Sequence, residues 1–150
     1  TYIIFTSDNG PWLLYGTHGG KALPLKSGKG TTFEGGMRVM TFFKGPNIQP
    51  GINNDIGSQT DIFKTVLSLA NIEHAHNPED SFDLKQSLFG KDSSPRDFIP
   101  YYVGSELRAY RYKDHKIHFI TKWSSFFSHL LCSSKLCSSN HFHSFGNFLR

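Results

Sequence analysis

Two short stretches hold the residues best suited to chemistry. The first is Asp8-Asn9, a carboxylate and an amide side by side after the apolar run Tyr2-Ile3-Ile4-Phe5. Adjacent oxygen donors of this kind suit a hard cation such as Ca²⁺ or Mg²⁺. Two are too few: calcium takes about six to eight oxygens, so about four or more must come from elsewhere in the fold, from substrate or from water. Asp8-Asn9-Gly10-Pro11 also reads as a plain turn. The second stretch is Gly28-Lys29-Gly30-Thr31-Thr32-Phe33-Glu34-Gly35-Gly36-Met37-Arg38. Its glycines let the backbone approach a ligand closely, and Lys29 presents a compact positive charge, so an oxyanion is the natural guest. A glycine-rich surface loop with a solvated lysine is the plainer alternative. A Walker A loop is excluded, because Leu23 stands five before Gly28, Gly30 replaces the Ser/Thr after the lysine, and Gly35-Gly36 interrupts a following helix.

The elements that must position these stretches are short. Residues 2–6 predict a buried strand that stops at Ser7-Asp8-Asn9-Gly10, a turn-forming cluster. Polar residues at such a strand end face the opening where open α/β sheets hold ligands. A second strand is predicted at 39–43, stopped by Gly45-Pro46. Between 58 and 71 the period becomes helical: Ile62, Val66 and Leu69 recur on one face, widened by Phe63, Leu67 and Ala70, and Ser58-x-x-Asp61 resembles a capping box. From 97 onward the segments 98–103, 107–112 and 116–121, separated by Gly104-Ser105 and Lys113-Asp114-His115, predict an antiparallel meander.

Composition narrows the class. The chain has 150 residues, 16 Lys+Arg against 12 Asp+Glu, and a net charge of +4. These values fit a globular domain and exclude collagen-like or wholly disordered chains. No apolar run reaches the length of about 18 residues that a membrane-spanning helix needs. All acids precede residue 123, so the body is near neutral and a nucleic-acid partner gains little support. Residues 123–150, rich in Ser and Phe, form an atypical tail with no steady period. The first residue is Thr1 in front of an apolar run, so the chain reads as a fragment. Cys132 and Cys137 both lie in the tail and decide nothing about compartment.

The remaining candidates each have a plain reading. His18 reads as a solvated loop residue, His118 as a partly buried strand histidine, and His74 and His76 as solvent-facing. His129, Cys132, Cys137 and His141 are four zinc-type donors, but their spacing departs from common zinc modules. Arg108, Arg111, Lys113 and Lys116, interleaved with Tyr110 and Tyr112, form a basic patch of the kind that binds single-stranded nucleic acid, although strand alternation splits it between two faces.

Thr6-Ser7-Asp8-Asn9-Gly10 followed by Gly28-Lys29-Gly30-Thr31-Thr32-Phe33-Glu34-Gly35-Gly36-Met37-Arg38 resembles the type I sulfatases, with the closest look to arylsulfatases and N-acetylgalactosamine-6-sulfatases. The resemblance continues through Gly45-Pro46, the helix from Ser58 to Asn71, and Tyr101-Tyr102 to Lys116-x-His118-Phe119, covering about residues 1–122. It implies an α/β fold: the C-terminal part of an alkaline-phosphatase-like sulfatase domain over 1–95, a small antiparallel sheet over 96–122, and the tail 123–150. It implies that Asp8 and Asn9 are calcium ligands and that Lys29 contacts the substrate sulfate as a catalytic and binding residue. A sulfate ester gathers negative charge as its S–O bond breaks, and a cation with a fixed ammonium stabilises that charge.

The family nucleophile is a formylglycine made from Cys in Cys-x-Pro-x-Arg. Neither Cys132-Ser133-Ser134-Lys135-Leu136 nor Cys137-Ser138-Ser139-Asn140-His141 fits, so no nucleophile is assigned and the formylglycine is expected in a missing N-terminal part. Ser27 stands where some relatives have a disulfide-forming Cys. The expected function is therefore calcium-dependent hydrolysis of aryl or carbohydrate sulfate esters in a complete enzyme, with these 150 residues inactive alone. The alternatives are a non-catalytic sulfated-glycan-binding module and a nucleic-acid binder. Expected partners are a sulfated small molecule or glycan, with neither nucleic acid nor membrane, and the family implies a lysosomal or extracellular location.

Overall fold

A computed structural model of the chain describes residues 1–73 and 78–121. His74, His76, the zinc-type donors and the whole 123–150 tail lie outside the described residues. The chain divides into two compact units, Thr1–Ile99 and a second that begins at Pro100.

In the first unit β1 (Ile3–Thr6) pairs antiparallel with β2 (Thr41–Lys44), Ile3 opposite Lys44 and Phe5 opposite Phe42. Both predicted strands exist, the second beginning two residues later and ending one residue later than expected. Thr6 Oγ1 and Thr41 Oγ1 meet at 2.8 Å where the pair ends. The expectation of a buried strand over 2–6 fails, because Ile3 is 56% and Phe5 66% exposed. A strand is buried on both faces only when other layers cover both. Among the described residues β1 has one strand neighbour, and alternate side chains of this two-stranded ribbon face outward.

Between the two strands the chain forms a 3-10 helix (Leu13–His18) and a one-turn helix, α1 (Glu34–Met37). Beyond β2 come α2 (Asp61–Leu69) and α3 (Lys85–Leu88). The α2 helix occupies the middle of the predicted 58–71 span. Its N-terminus closes as half a capping box: the Ser58 N–H donates to Asp61 Oδ2 at 2.7 Å, while the Asp61 N–H donates to the Ser58 carbonyl.

The buried face of α2 shares only Leu69 with the predicted apolar stripe. Asp61, Thr65 and Leu69 are buried, whereas Phe63 and Val66 are exposed. The segment 81–84 explains this inversion. It forms no regular element, so N–H groups without a main-chain partner need side-chain acceptors. Phe82 N–H donates to Asp61 Oδ1 at 2.8 Å and Leu84 N–H to Thr65 Oγ1 at 3.0 Å. Arg96 completes the arrangement, donating from Nε to Asp61 Oδ2 at 2.7 Å and from Nη2 to Asp61 Oδ1 at 2.6 Å. Its guanidinium also donates to the Asp80 and Phe98 carbonyls and lies 4.5 Å from the Phe82 ring centroid.

The three-stranded sheet runs in the order β3 (Phe98–Val103), β4 (Glu106–Tyr112) and β5 (His115–His118), and the boundary between the units falls within β3. The predicted meander is present, with its last strand shorter and earlier than 116–121. The turns place Gly104 and Lys113 at φ 60° and 50°, the left-handed region that tight hairpins use. In the second unit β4 and β5 pair antiparallel, with Ala109 opposite His118 and Arg111 opposite Lys116. Ala109 and Tyr101 are buried, and Lys116 Nζ sits 3.7 Å from the Tyr101 ring centroid.

Candidate functional site

The Ser7-Asp8-Asn9 turn leaves the end of β1 and is closed by its own side chain, since Ser7 Oγ donates to the Asn9 carbonyl at 2.9 Å. Gln59, just before α2, donates from Nε2 to the Ser7 carbonyl. The next residue, Gly10, is buried and donates its N–H to the Gly36 carbonyl at 2.9 Å. A Cβ at Gly10 would stand 1.8 Å from the Gly35 oxygen, so only glycine lets these backbones touch.

The Lys29 loop packs against the same turn. Lys29 N–H donates to the Pro11 carbonyl at 2.9 Å, and Gly35 N–H donates to the Lys26 carbonyl at 2.8 Å. A Cβ on Gly35 would meet the Ser27 carbonyl oxygen at 2.0 Å. Thr31, buried, fixes the bend by donating from Oγ1 to the Gly28 carbonyl at 2.8 Å. The expectation that the glycines of this loop make room for a ligand is therefore corrected: at Gly28, Gly35 and Gly36 the space a Cβ would take holds protein atoms. Gly30, directly after Lys29, opens on free space, with nothing within 4 Å of where its Cβ would stand.

Three main-chain layers thus bring the two predicted stretches together: residues 8–11, 26–31 and 34–36. The side chains of Asp8 and Lys29 take no part in that main-chain packing. Asp8 and Lys29 are exposed and Asn9 is half-buried. Among the described residues the Asp8 carboxylate makes no hydrogen bond or ion pair, and the Lys29 ammonium has a single contact, 5.9 Å from the Trp12 ring centroid. No cluster of three or more His, Cys, Asp or Glu is present among the described residues. As donors, an exposed carboxylate and a neighbouring amide oxygen fit part of a calcium shell. His18 lies exposed at the end of the 3-10 helix, and His118 is half-buried on β5.

Sequence reasoning missed Gln59 and Arg96. Ser58-x-x-Asp61 pointed to the helix start, but nothing local indicates that the same carboxylate takes an arginine 35 residues away or that Gln59 reaches the Ser7 carbonyl.

The family model described as "Sulfatase" matches residues 1–72. Arylsulfatase A of Bos taurus is 37% identical over 131 residues, which cover 83% of this chain and 26% of that protein. The chain belongs to the sulfatase family. N-acetylgalactosamine-6-sulfatase of Canis lupus familiaris is 36% identical over 133 residues, with 84% of this chain and 25% of that protein covered. A solved relative, the PsFucS1 sulfatase from Pseudoalteromonas sp., superposes with a TM-score of 0.73 at 32% identity, covering 81% of this chain and 25% of that one. The fold is accordingly part of the α/β, alkaline-phosphatase-like sulfatase fold. The sulfatase chain spans about a quarter of the length of the curated relatives it matches. Among its described residues no helix is long and apolar enough to cross a membrane.

Proposed function

We propose that this chain supplies one wall of a sulfatase active site, in which Asp8 and Asn9 bind calcium and Lys29 binds the sulfate of an aryl or carbohydrate sulfate ester. The observation that carries this reading is the stitching of the two stretches, Gly10 N–H to the Gly36 carbonyl and Lys29 N–H to the Pro11 carbonyl. It gives the turn and the loop a common main-chain base, while among the described residues Asp8 and Lys29 make no ion pair. The Lys29 ammonium holds a sulfate oxygen and offsets the charge that grows there. Asp8 offers its carboxylate and Asn9 its Oδ1, and the amide keeps the donor set less anionic than two carboxylates, which favours an anionic guest. Bound calcium supplies further positive charge to the sulfate oxygens.

The formylglycine does not fit the residues present, since neither Cys132 nor Cys137 lies in Cys-x-Pro-x-Arg. No nucleophilic step is assigned to these 150 residues, and the purified chain is expected to leave 4-nitrophenyl sulfate intact. The reading includes a lysosomal or extracellular location. A second reading, a non-catalytic binder of sulfated glycans, draws on that same lack of a nucleophile and on the cross-strand cations Arg111 and Lys116.

Titration of the ¹⁵N-labelled chain with CaCl₂ and with Na₂SO₄ tests the proposal. Calcium is expected to shift the amides of residues 7–10, and sulfate those of 28–31. Asp8→Asn should remove the calcium response and Lys29→Ala should weaken sulfate binding about tenfold or more, in keeping with the size of single oxyanion contacts. Sulfate shifts that survive Lys29→Ala unchanged would refute the assignment.

A further inference from the structure

Beside Lys29 stands a feature that the sulfate and cation roles leave unused. Trp12 and Tyr15 stack with ring centroids 4.9 Å apart and planes 25° from parallel. Both are exposed, at 47% and 59%. Their position is fixed rather than floating: the Leu13 and Lys29 N–H groups both donate to the Pro11 carbonyl, and Tyr15 N–H donates to the Trp12 carbonyl at 2.9 Å. Leu13 packs on Gly28, where an added Cβ would come within 2.8 Å of Leu13 Cγ. The rings are therefore tied to the backbone that carries Lys29, with the ammonium 5.9 Å from the Trp12 centroid.

An exposed, stacked aromatic pair presents a flat apolar face, and few rotatable bonds need freezing when something docks on it. The cation 5.9 Å from the Trp12 centroid favours a guest that joins a ring to an anion. We propose that Trp12 and Tyr15 form a platform for the ring that bears the sulfate, either an aryl ring or the apolar face of a sugar, while Lys29 takes the sulfate itself. The proposal rests on the sulfate-binding reading of Lys29 and sharpens it: ring-borne sulfate esters are preferred over inorganic sulfate, and Trp12 determines that preference.

The test titrates the 150-residue chain with phenyl sulfate, galactose 6-sulfate and inorganic sulfate, following the Trp12 indole N–H and the Lys29 amide by NMR. At least one ring-borne ester should bind about three- to tenfold more tightly than inorganic sulfate, the range a single aromatic contact supplies. Trp12→Ala should abolish that advantage without changing the affinity for inorganic sulfate, and Trp12→Phe should keep part of it. An advantage confined to phenyl sulfate assigns the platform to aryl rings, and one confined to galactose 6-sulfate assigns it to sugars. An advantage that persists in Trp12→Ala overturns the platform while leaving Lys29 as the sulfate residue. If Lys29→Ala changes no affinity yet Trp12→Ala still removes the ring preference, the sulfate reading of Lys29 falls, and with it the pairing of ring and ammonium. Retained amide shifts across β1 and β2 in each variant show that the ribbon beneath the loops is intact.

Discussion

Two regions of the first unit treat their charges in opposite ways. Around α2 the carboxylate of Asp61 is fully buried and accepts from Ser58 N–H, Phe82 N–H and two guanidinium nitrogens of Arg96, so its hydrogen-bonding capacity is spent on the fold. Around residues 8–36 main chain packs against main chain, with glycines where the layers touch, and among the described residues Asp8 and Lys29 contribute no ion pair. A charge that organises structure is enclosed and saturated. The charges assigned to a ligand in the proposed function stand on a framework that does not need them.

The largest expected effect breaks the first half of that contrast. Removing one partner of a buried pair strands the other and costs about 3–5 kcal/mol. Arg96→Ala and Asp61→Ala should each lower the stability of the first unit by that order, and Asp61→Ala more, because it also orphans the Ser58 and Phe82 N–H groups. Urea unfolding followed by the amide signals of α2 measures the loss. A change below about 1 kcal/mol for either variant would mean that the pair is not the organising node. Replacing both residues by leucine should recover part of the loss, since an apolar pair leaves no unpaired charge.

How much of this was legible in sequence depended on how far each interaction reaches along the chain. Strands β1 and β2, the core of α2 and the meander follow from local periodicity and turn residues, and all appear within a few residues of their predicted spans. Asp8-Asn9 and the Lys29 loop stood out because unusual residue types sit side by side. The burial of α2 follows the apolar spacing only in part: of Ile62, Val66 and Leu69, Leu69 is buried and Val66 exposed, whereas Asp61 and Thr65 go inside because an irregular segment some 20 residues on needs acceptors. The glycines of the Lys29 loop were read as room for a ligand, but three of them are crowded by other parts of the protein, which no local pattern reveals.

A middle-sized effect separates those crowded glycines from the open one. Gly35→Ala forces a Cβ against the Ser27 carbonyl, and backbone cannot swing aside as a flexible side chain does, so a loss of about 1–3 kcal/mol is expected, at the scale of overpacking. Gly30→Ala meets no atoms but sits at φ 86°, so its cost is the left-handed penalty alone, about 1–2 kcal/mol. The sharper difference is spatial. Gly35→Ala should shift the amides of Lys26, Ser27 and Gly36 together with Gly10, because the layers must part, whereas Gly30→Ala should disturb only its immediate neighbours. Confinement of the Gly35→Ala changes to residues 34–36 would show that the layers are not mechanically joined.

The smallest effect is the most telling for the second half of the contrast. Asp8→Asn and Lys29→Ala remove exposed charges to which no described residue is paired, and substitutions of that kind usually change stability by no more than about 0.5 kcal/mol. Both variants should unfold at the urea concentration of the unsubstituted chain while losing their calcium and sulfate responses. A sizeable stability loss in either would place that charge in the structural class with Asp61, and the turn or loop would then have to be re-read as held together by it. Near-zero change in stability with full loss of the ligand response is the combination a structural role cannot produce, because a residue that acts only through the fold changes binding by changing the fold first.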